Sequence, residues 1–95
     1  MKVFSCSDPI HSTNLPCCIS DNEDVEVRQL DLASLHSVRS FAASVLATES
    51  KIDVLINNAG CTAPRKKWTK DGLEHQMQTN HFGHFLLTNL LLGKL

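Results

Sequence analysis

A chain of 95 residues with 42% hydrophobic and 20% charged content suits one small globular domain and no more. Its formal net charge of -1 gives no overall electrostatic pull toward nucleic acid or an anionic membrane. No run of 18 apolar residues is present and no signal-length apolar stretch follows Met1, so an intracellular, unanchored chain is expected.

The leader, residues 1–24, shows no sustained periodicity. Pro9, Pro16 and the polar cluster Ser20-Asp21-Asn22-Glu23-Asp24 predict an irregular segment, with at most a short strand beginning at Val3-Phe4. Cys6, Cys17 and Cys18 lie in this leader and Cys61 stands alone further on. Adjacent cysteines bridge each other only with strain, and no C-x-x-C spacing suggests zinc, so free thiols are expected.

The pattern changes at Val25. Residues 25–30 alternate polar and apolar and end at Asp31, which predicts a strand with a polar edge. Ser34 is a natural N-cap, and Leu35, Val38, Phe41, Ala42, Val45 and Leu46 recur at steps of three and four. That spacing predicts an amphipathic helix of about four turns, broken at Glu49-Ser50-Lys51. Residues 52–56 are mostly apolar, as in a strand buried on both faces of a parallel sheet, and stop at Asn57-Asn58-Ala59-Gly60.

A basic loop follows from Cys61 to Lys70. Asp71 and Glu74 have capping-box spacing, and the segment from Asp71 to Leu92 predicts a second helix. Leu73, Met77, His84, Thr88 and Leu91 mark one face of it, widened by Phe82, Phe85, Leu86 and Leu90. Strand, helix, strand, loop, helix is the order of an α/β fold with a parallel sheet and right-handed crossovers. The organisation expected is an irregular leader at 1–24 and a partial dinucleotide-binding, doubly wound domain at 25–95.

Parallel strands bring their carboxyl ends to one rim, where ligands bind in open α/β sheets. Asp31-Leu32 and residues 57–60 both fall there. A carboxylate such as Asp31 can accept from an adenine amino group, and Ala59-Gly60 leaves backbone open to a sugar or pyrophosphate. Either motif alone also suits an ordinary strand-ending turn. Asn80 and Gly83 are poor helix formers within one turn of the most apolar helix. A local distortion exposing a carbonyl, an Asn side chain holding water, or a close backbone crossing at Gly83 would each account for them.

Together, Asp31-Leu32, Asn57-Asn58-Ala59-Gly60 and the run from Asn80-His81-Phe82-Gly83-His84-Phe85 to Leu91 strongly resemble the short-chain dehydrogenase/reductases, in their retinol-dehydrogenase-like branch. The resemblance covers residues 25–95. It implies that Asp31 binds the adenine amino group beside the Leu32 backbone. It implies that Asn58, Ala59 and Gly60 support the adenosine ribose and the central sheet. Asn80 matches the catalytic Asn that bends its helix and holds a water linked to the active-site lysine. The implied chemistry is hydride transfer between NADP(H) and a small alcohol or carbonyl substrate, with a retinoid as candidate.

The chain also departs from that pattern. Its four glycines, Gly60, Gly72, Gly83 and Gly93, form no Gly-rich pyrophosphate turn, and it has no tyrosine to serve as the family's general acid. The family's strand order 3-2-1-4 would separate Asp31 from Asn58 by ~14 Å, whereas direct pairing of the two strands here would leave ~5 Å. The chain alone is therefore expected to be inactive and to bind NADP(H) poorly. Two alternatives follow. It is a non-catalytic fragment that associates with itself or a full-length relative through helix 71–92, or it is a truncated product. No metal is expected, because His75, His81 and His84 lack a carboxylate or thiol completing a set. Arg65-Lys66-Lys67 with Lys70 predicts a solvated loop rather than a nucleic-acid patch.

Overall fold

A computed structural model of the chain describes residues 25–95. Helix α1 spans Leu35–Thr48, where the apolar repeat predicts it. Ser34 caps it, its hydroxyl accepting from the Ser37 N–H at 3.2 Å. A second acceptor comes from far along the chain, since the Asp71 carboxylate takes the Leu35 N–H at 2.9 Å. The helix ends where Glu49 turns extended, its N–H still reaching the Val45 carbonyl. Val38, Phe41, Ala42 and Val45 are buried on its inner face. Burial of each of the three larger side chains contributes at most roughly 1.5–3 kcal/mol.

Arg28 fastens the segment before α1 to the helix. Its guanidinium donates to Glu26 (2.6 Å), Ser44 (2.8 Å) and Thr48 (2.9 Å) and lies 3.8 Å from Glu49.

The second helical region begins later than its capping-box spacing implies. Gly72 has φ +77°, the left-handed region, and the Gly72 N–H returns to the Thr69 carbonyl. That turn postpones helical geometry to α2, His75–Met77, with Glu74 as cap and its carboxylate accepting from the Gln76 and Met77 N–H groups. A π-helical turn, Gln78–Phe82, follows, in which the Gly83 N–H bonds the Gln78 carbonyl five residues back. Helix α3, Gly83–Leu91, and a 3₁₀ turn, Leu92–Lys94, complete the chain.

The π turn changes which side chains point inward. One extra residue rotates everything beyond it by ~100° relative to an unbroken α-helix. The buried set is Gln78, Gly83, Leu87 and Leu91, whereas Met77 is 47% exposed. The predicted face keeps only Leu91 as a fully buried member.

Leu30, Leu32, Val38, Phe41, Ala42, Val45, Leu87 and Leu91 form the core, where α1 packs on α3. Ile52, Leu55 and Ala59 lean against it. Neither predicted strand appears among the described residues, where Val25 alone of the first run is a bridge residue. Nor is 52–56 buried on both faces, since Val54 is 69% and Ile56 78% exposed. A strand needs neighbours in a ladder, and the described residues supply none to these runs. The possible strand at Val3-Phe4 and the leader cysteines lie outside the described residues. No helix among the described residues is long and apolar enough to cross a membrane.

Candidate functional site

The run from Asn57 to Cys61 lies along the helix from Asn80 to Thr88 in a repeating register. Asn57 donates its amide N–H to the Thr88 hydroxyl at 2.9 Å. The His84 Nε2–H donates to the Ala59 carbonyl at 2.7 Å. Asn80 accepts the Cys61 N–H on Oδ1 at 2.7 Å and donates from Nδ2 to the Cys61 carbonyl at 2.8 Å. Contacts fall every second residue of the run and every fourth residue of the helix. The two spacings agree physically, since two extended residues rise ~6.6 Å and four helical residues ~6 Å.

This register sets what faces outward. Ala59 is half-buried against the core, while Asn58 and Gly60, between the contacts, are exposed. A Cβ at Gly60 would stand 3.3 Å from Asn80 Oδ1, tight against the Asn80 amide. The Cys61 thiol is free, half-buried and 4.0 Å from His75 Nδ1.

The other predicted turn meets the same helix. Asp31 is fixed by its own loop. Its Oδ1 accepts from the Ala33 N–H (2.9 Å), its carbonyl from Ser34 (3.1 Å), and its N–H donates to Ser37 Oγ (2.9 Å). Leu32 is 3% exposed, and its carbonyl passes so close to Gly83 that a Cβ there would come within 2.8 Å. Asn80 and Gly83 thus have separate explanations. Gly83 permits the Leu32 backbone to cross, and Asn80 sits in a π turn with its amide on Cys61. Where hydrogen bonding returns from five-residue to four-residue spacing, the helix has one more carbonyl than donors. Leu32, Ala59, Cys61 and Asn80 therefore gather about one helical turn, with Asp31 adjacent to Leu32.

Gln78 is the important residue the sequence pattern missed. It is fully buried, and its amide bridges the Thr69 hydroxyl (2.5 Å) and the Asp71 carboxylate (2.9 Å). Asp71 is held below the ordinary aspartate range, first by the Leu35 N–H and then by the Gln78 amide. Glu74 is lowered by the Met77 and Gln76 N–H groups. The signal for Gln78 was its position in line with apolar residues after a capping-box pair.

A dinucleotide needs acceptors for its adenine amino group and donors for its pyrophosphate, and the two can be sought separately among the described residues. Asp31 has one carboxylate oxygen engaged at Ala33, leaving the other to accept from an amino group. The start of α1 is closed by Ser34 and Asp71, and that of α2 by Glu74. A carboxylate at these N–H groups repels a pyrophosphate rather than receiving it.

The short chain dehydrogenase family profile matches residues 12–95. Human retinol dehydrogenase 13 is 55% identical over 74 residues, which are 78% of this chain and 22% of that protein. Human retinol dehydrogenase 14 is 54% identical over 77 residues, 81% of this chain and 23% of that one. The chloroplastic short-chain dehydrogenase TIC 32 A of Brassica napus is 50% identical over 74 residues, 78% of this chain and 23% of that one. The chain thus spans less than a quarter of the length of these relatives. Among solved structures, the RhlG/NADP active-site complex of Pseudomonas aeruginosa superposes with a TM-score of 0.71 at 27% identity. That match covers 97% of this chain and 37% of the other. The NADPH-bound carbonyl reductase of chicken fatty liver has the same fold over 98% of this chain and 39% of its own, with a TM-score of 0.67 at 24% identity.

Proposed function

The chain belongs to the short-chain dehydrogenase family, and from that premise we propose that it carries part of the cofactor-binding half of an NADP(H)-dependent oxidoreductase of the retinol-dehydrogenase-like branch. The reaction is hydride transfer between a nicotinamide cofactor and an alcohol or carbonyl, with a retinoid as the substrate class. The observation that carries this reading is the register of Asn57, Ala59 and Cys61 on Thr88, His84 and Asn80, which leaves Asn58 and Gly60 outward.

In this reading the free Asp31 carboxylate oxygen accepts from the adenine amino group, with the Leu32 backbone beside it. Asn58, Ala59 and Gly60 present backbone to the adenosine ribose. Asn80 is the catalytic position, where the π turn offers a carbonyl to a proton-relay water. Nicotinamide, when bound, supplies or takes up the hydride. The chain has no tyrosine, so it brings no phenol to protonate a carbonyl oxygen, and by itself it is inactive.

Residues 25–95 grafted over the aligned stretch of human retinol dehydrogenase 13 test the assignment. The graft should retain NADPH-dependent carbonyl reduction. Within it, Asp31→Ala should raise the KM for NADPH with little change in kcat, and Asn80→Ala should lower kcat. A folded graft without activity, or one indifferent to both substitutions, contradicts the reading.

A second reading, association with another copy or a full-length relative, is favoured by one observation. Phe85 is 63% exposed on α3, and Leu92 56% exposed just beyond it. Apolar surface of this kind is covered in stable assemblies.

A further inference from the structure

Four of the chain's nine Lys and Arg side chains, Arg65, Lys66, Lys67 and Lys70, fall within six residues, together with its single tryptophan, Trp68. All four cations are exposed, and no ion pair holds any of them among the described residues. Trp68 is 70% exposed. Of the acids that follow in sequence, exposed Asp71 accepts the Leu35 N–H and Glu74 the Gln76 and Met77 N–H groups, and Lys70 and Lys66 act on them through space, which leaves four cations against two acids. A net charge of -1 therefore conceals a locally cationic loop.

The loop has a fixed shape. Trp68 makes an antiparallel bridge to Glu74, and the His75 N–H donates to the Lys67 carbonyl at 2.9 Å. The Thr69 N–H donates to the Leu73 carbonyl at 2.8 Å, and the Ala63 N–H to the Gln76 side chain at 3.0 Å. An indole 70% exposed on such a frame presents most of its ring to solvent. Indole is amphipathic, with an apolar ring and a polar N–H, and is enriched where hydrocarbon meets headgroups. Lysine and arginine beside it add attraction to anionic headgroups, and their long stems let the charges remain in water while the ring enters.

We infer that the loop from Arg65 to Lys70 is a docking surface for an anionic lipid membrane. Trp68 enters the headgroup layer, and the four cations contact acidic headgroups. A single exposed aromatic on a turn suits a planar lipid interface better than a nucleic acid, which is gripped by a basic groove with several stacking platforms. The proposal is independent of the cofactor reading, because none of these residues belongs to the site at Asp31, Asn58–Gly60 or Asn80.

Trp68 is its own probe, being the only tryptophan. The 95-residue chain is titrated with phosphatidylcholine vesicles containing 30% phosphatidylserine, with pure phosphatidylcholine vesicles, and with a single-stranded oligonucleotide. The expected result is a blue shift of Trp68 emission and co-sedimentation with the anionic vesicles alone, reversed by salt. Lys66→Gln and Lys67→Gln should each weaken this binding about fivefold. Trp68→Phe, checked by far-ultraviolet circular dichroism, should weaken co-sedimentation while preserving helix content. Equal binding to both vesicle types, binding indifferent to both lysine substitutions, or a response to the oligonucleotide alone would each overturn the proposal.

Discussion

Asn80 meets the backbone of Cys61 as one strand would meet another, accepting its N–H and donating to its carbonyl within 2.8 Å. A side-chain amide thus completes a pairing that the local backbone lacks. It also ties the outward position of Gly60 to the helix that bears the π turn. Asn80→Ala removes both bonds and should destabilise the chain by about 1–3 kcal/mol. Asn80→Asp keeps the acceptor but turns a carboxylate oxygen toward the Cys61 carbonyl, and should recover little of the loss. Urea denaturation followed by circular dichroism measures both.

Two glycines should respond to alanine for different reasons. At Gly83 the new Cβ would stand 2.8 Å from the Leu32 carbonyl oxygen, which is backbone and cannot swing away. The gain in helix propensity, up to ~1 kcal/mol, should be outweighed by overpacking of ~1–3 kcal/mol. Gly72 has open space around it but φ +77°, so alanine there should cost about 1–2 kcal/mol through backbone strain alone. A lowered urea midpoint for both variants accords with these contacts, whereas a stabilised Gly83→Ala speaks against the close crossing.

Much of α1 was legible, because a capped amphipathic repeat carries its own boundaries, and Ser34, Val38, Phe41, Ala42 and Val45 sit where the spacing put them. The three motifs were legible as local clusters. The sequence put Asp31-Leu32 and residues 57–60 on one rim, but not the helical turn at Asn80–Gly83 that both of them touch. Gln78 reads as an ordinary polar helix residue, yet burial makes it the bridge between Thr69 and Asp71, and Asp71 in turn serves α1 from 36 residues away. Long-range capping of this kind leaves no periodic trace. The runs at 25–30 and 52–56 have no ladder neighbour among the described residues, and strand-like sequence forms a strand only when a neighbour completes the ladder.

Gln78→Ala should cost about 1–3 kcal/mol, because it leaves the Thr69 hydroxyl and the Asp71 carboxylate each short of a partner. Gln78→Glu would set a second carboxylate against Asp71 and should be worse at neutral pH than at acid pH. Thermal melts at both pH values distinguish the two variants.

Acid should loosen the junction between α1 and the Thr69–Gly72 turn. Asp71 and Glu74 are both lowered in the folded chain, so the unfolded chain binds more protons across the interval below their ordinary values near ~4. The stability they confer is fully present above that interval and is lost as pH falls through their folded values. Asp71→Asn, which can still accept a hydrogen bond but cannot titrate, should flatten part of this acid limb in urea midpoints measured against pH. The double variant with Glu74→Gln should flatten more of it.

We propose that residues 25–95 carry the adenosine end of a dinucleotide site without a Gly-rich turn to seat its pyrophosphate. Isothermal titration of the 95-residue chain with NADPH addresses it directly. The account predicts a dissociation constant of about 1 mM or weaker. Micromolar binding would contradict it.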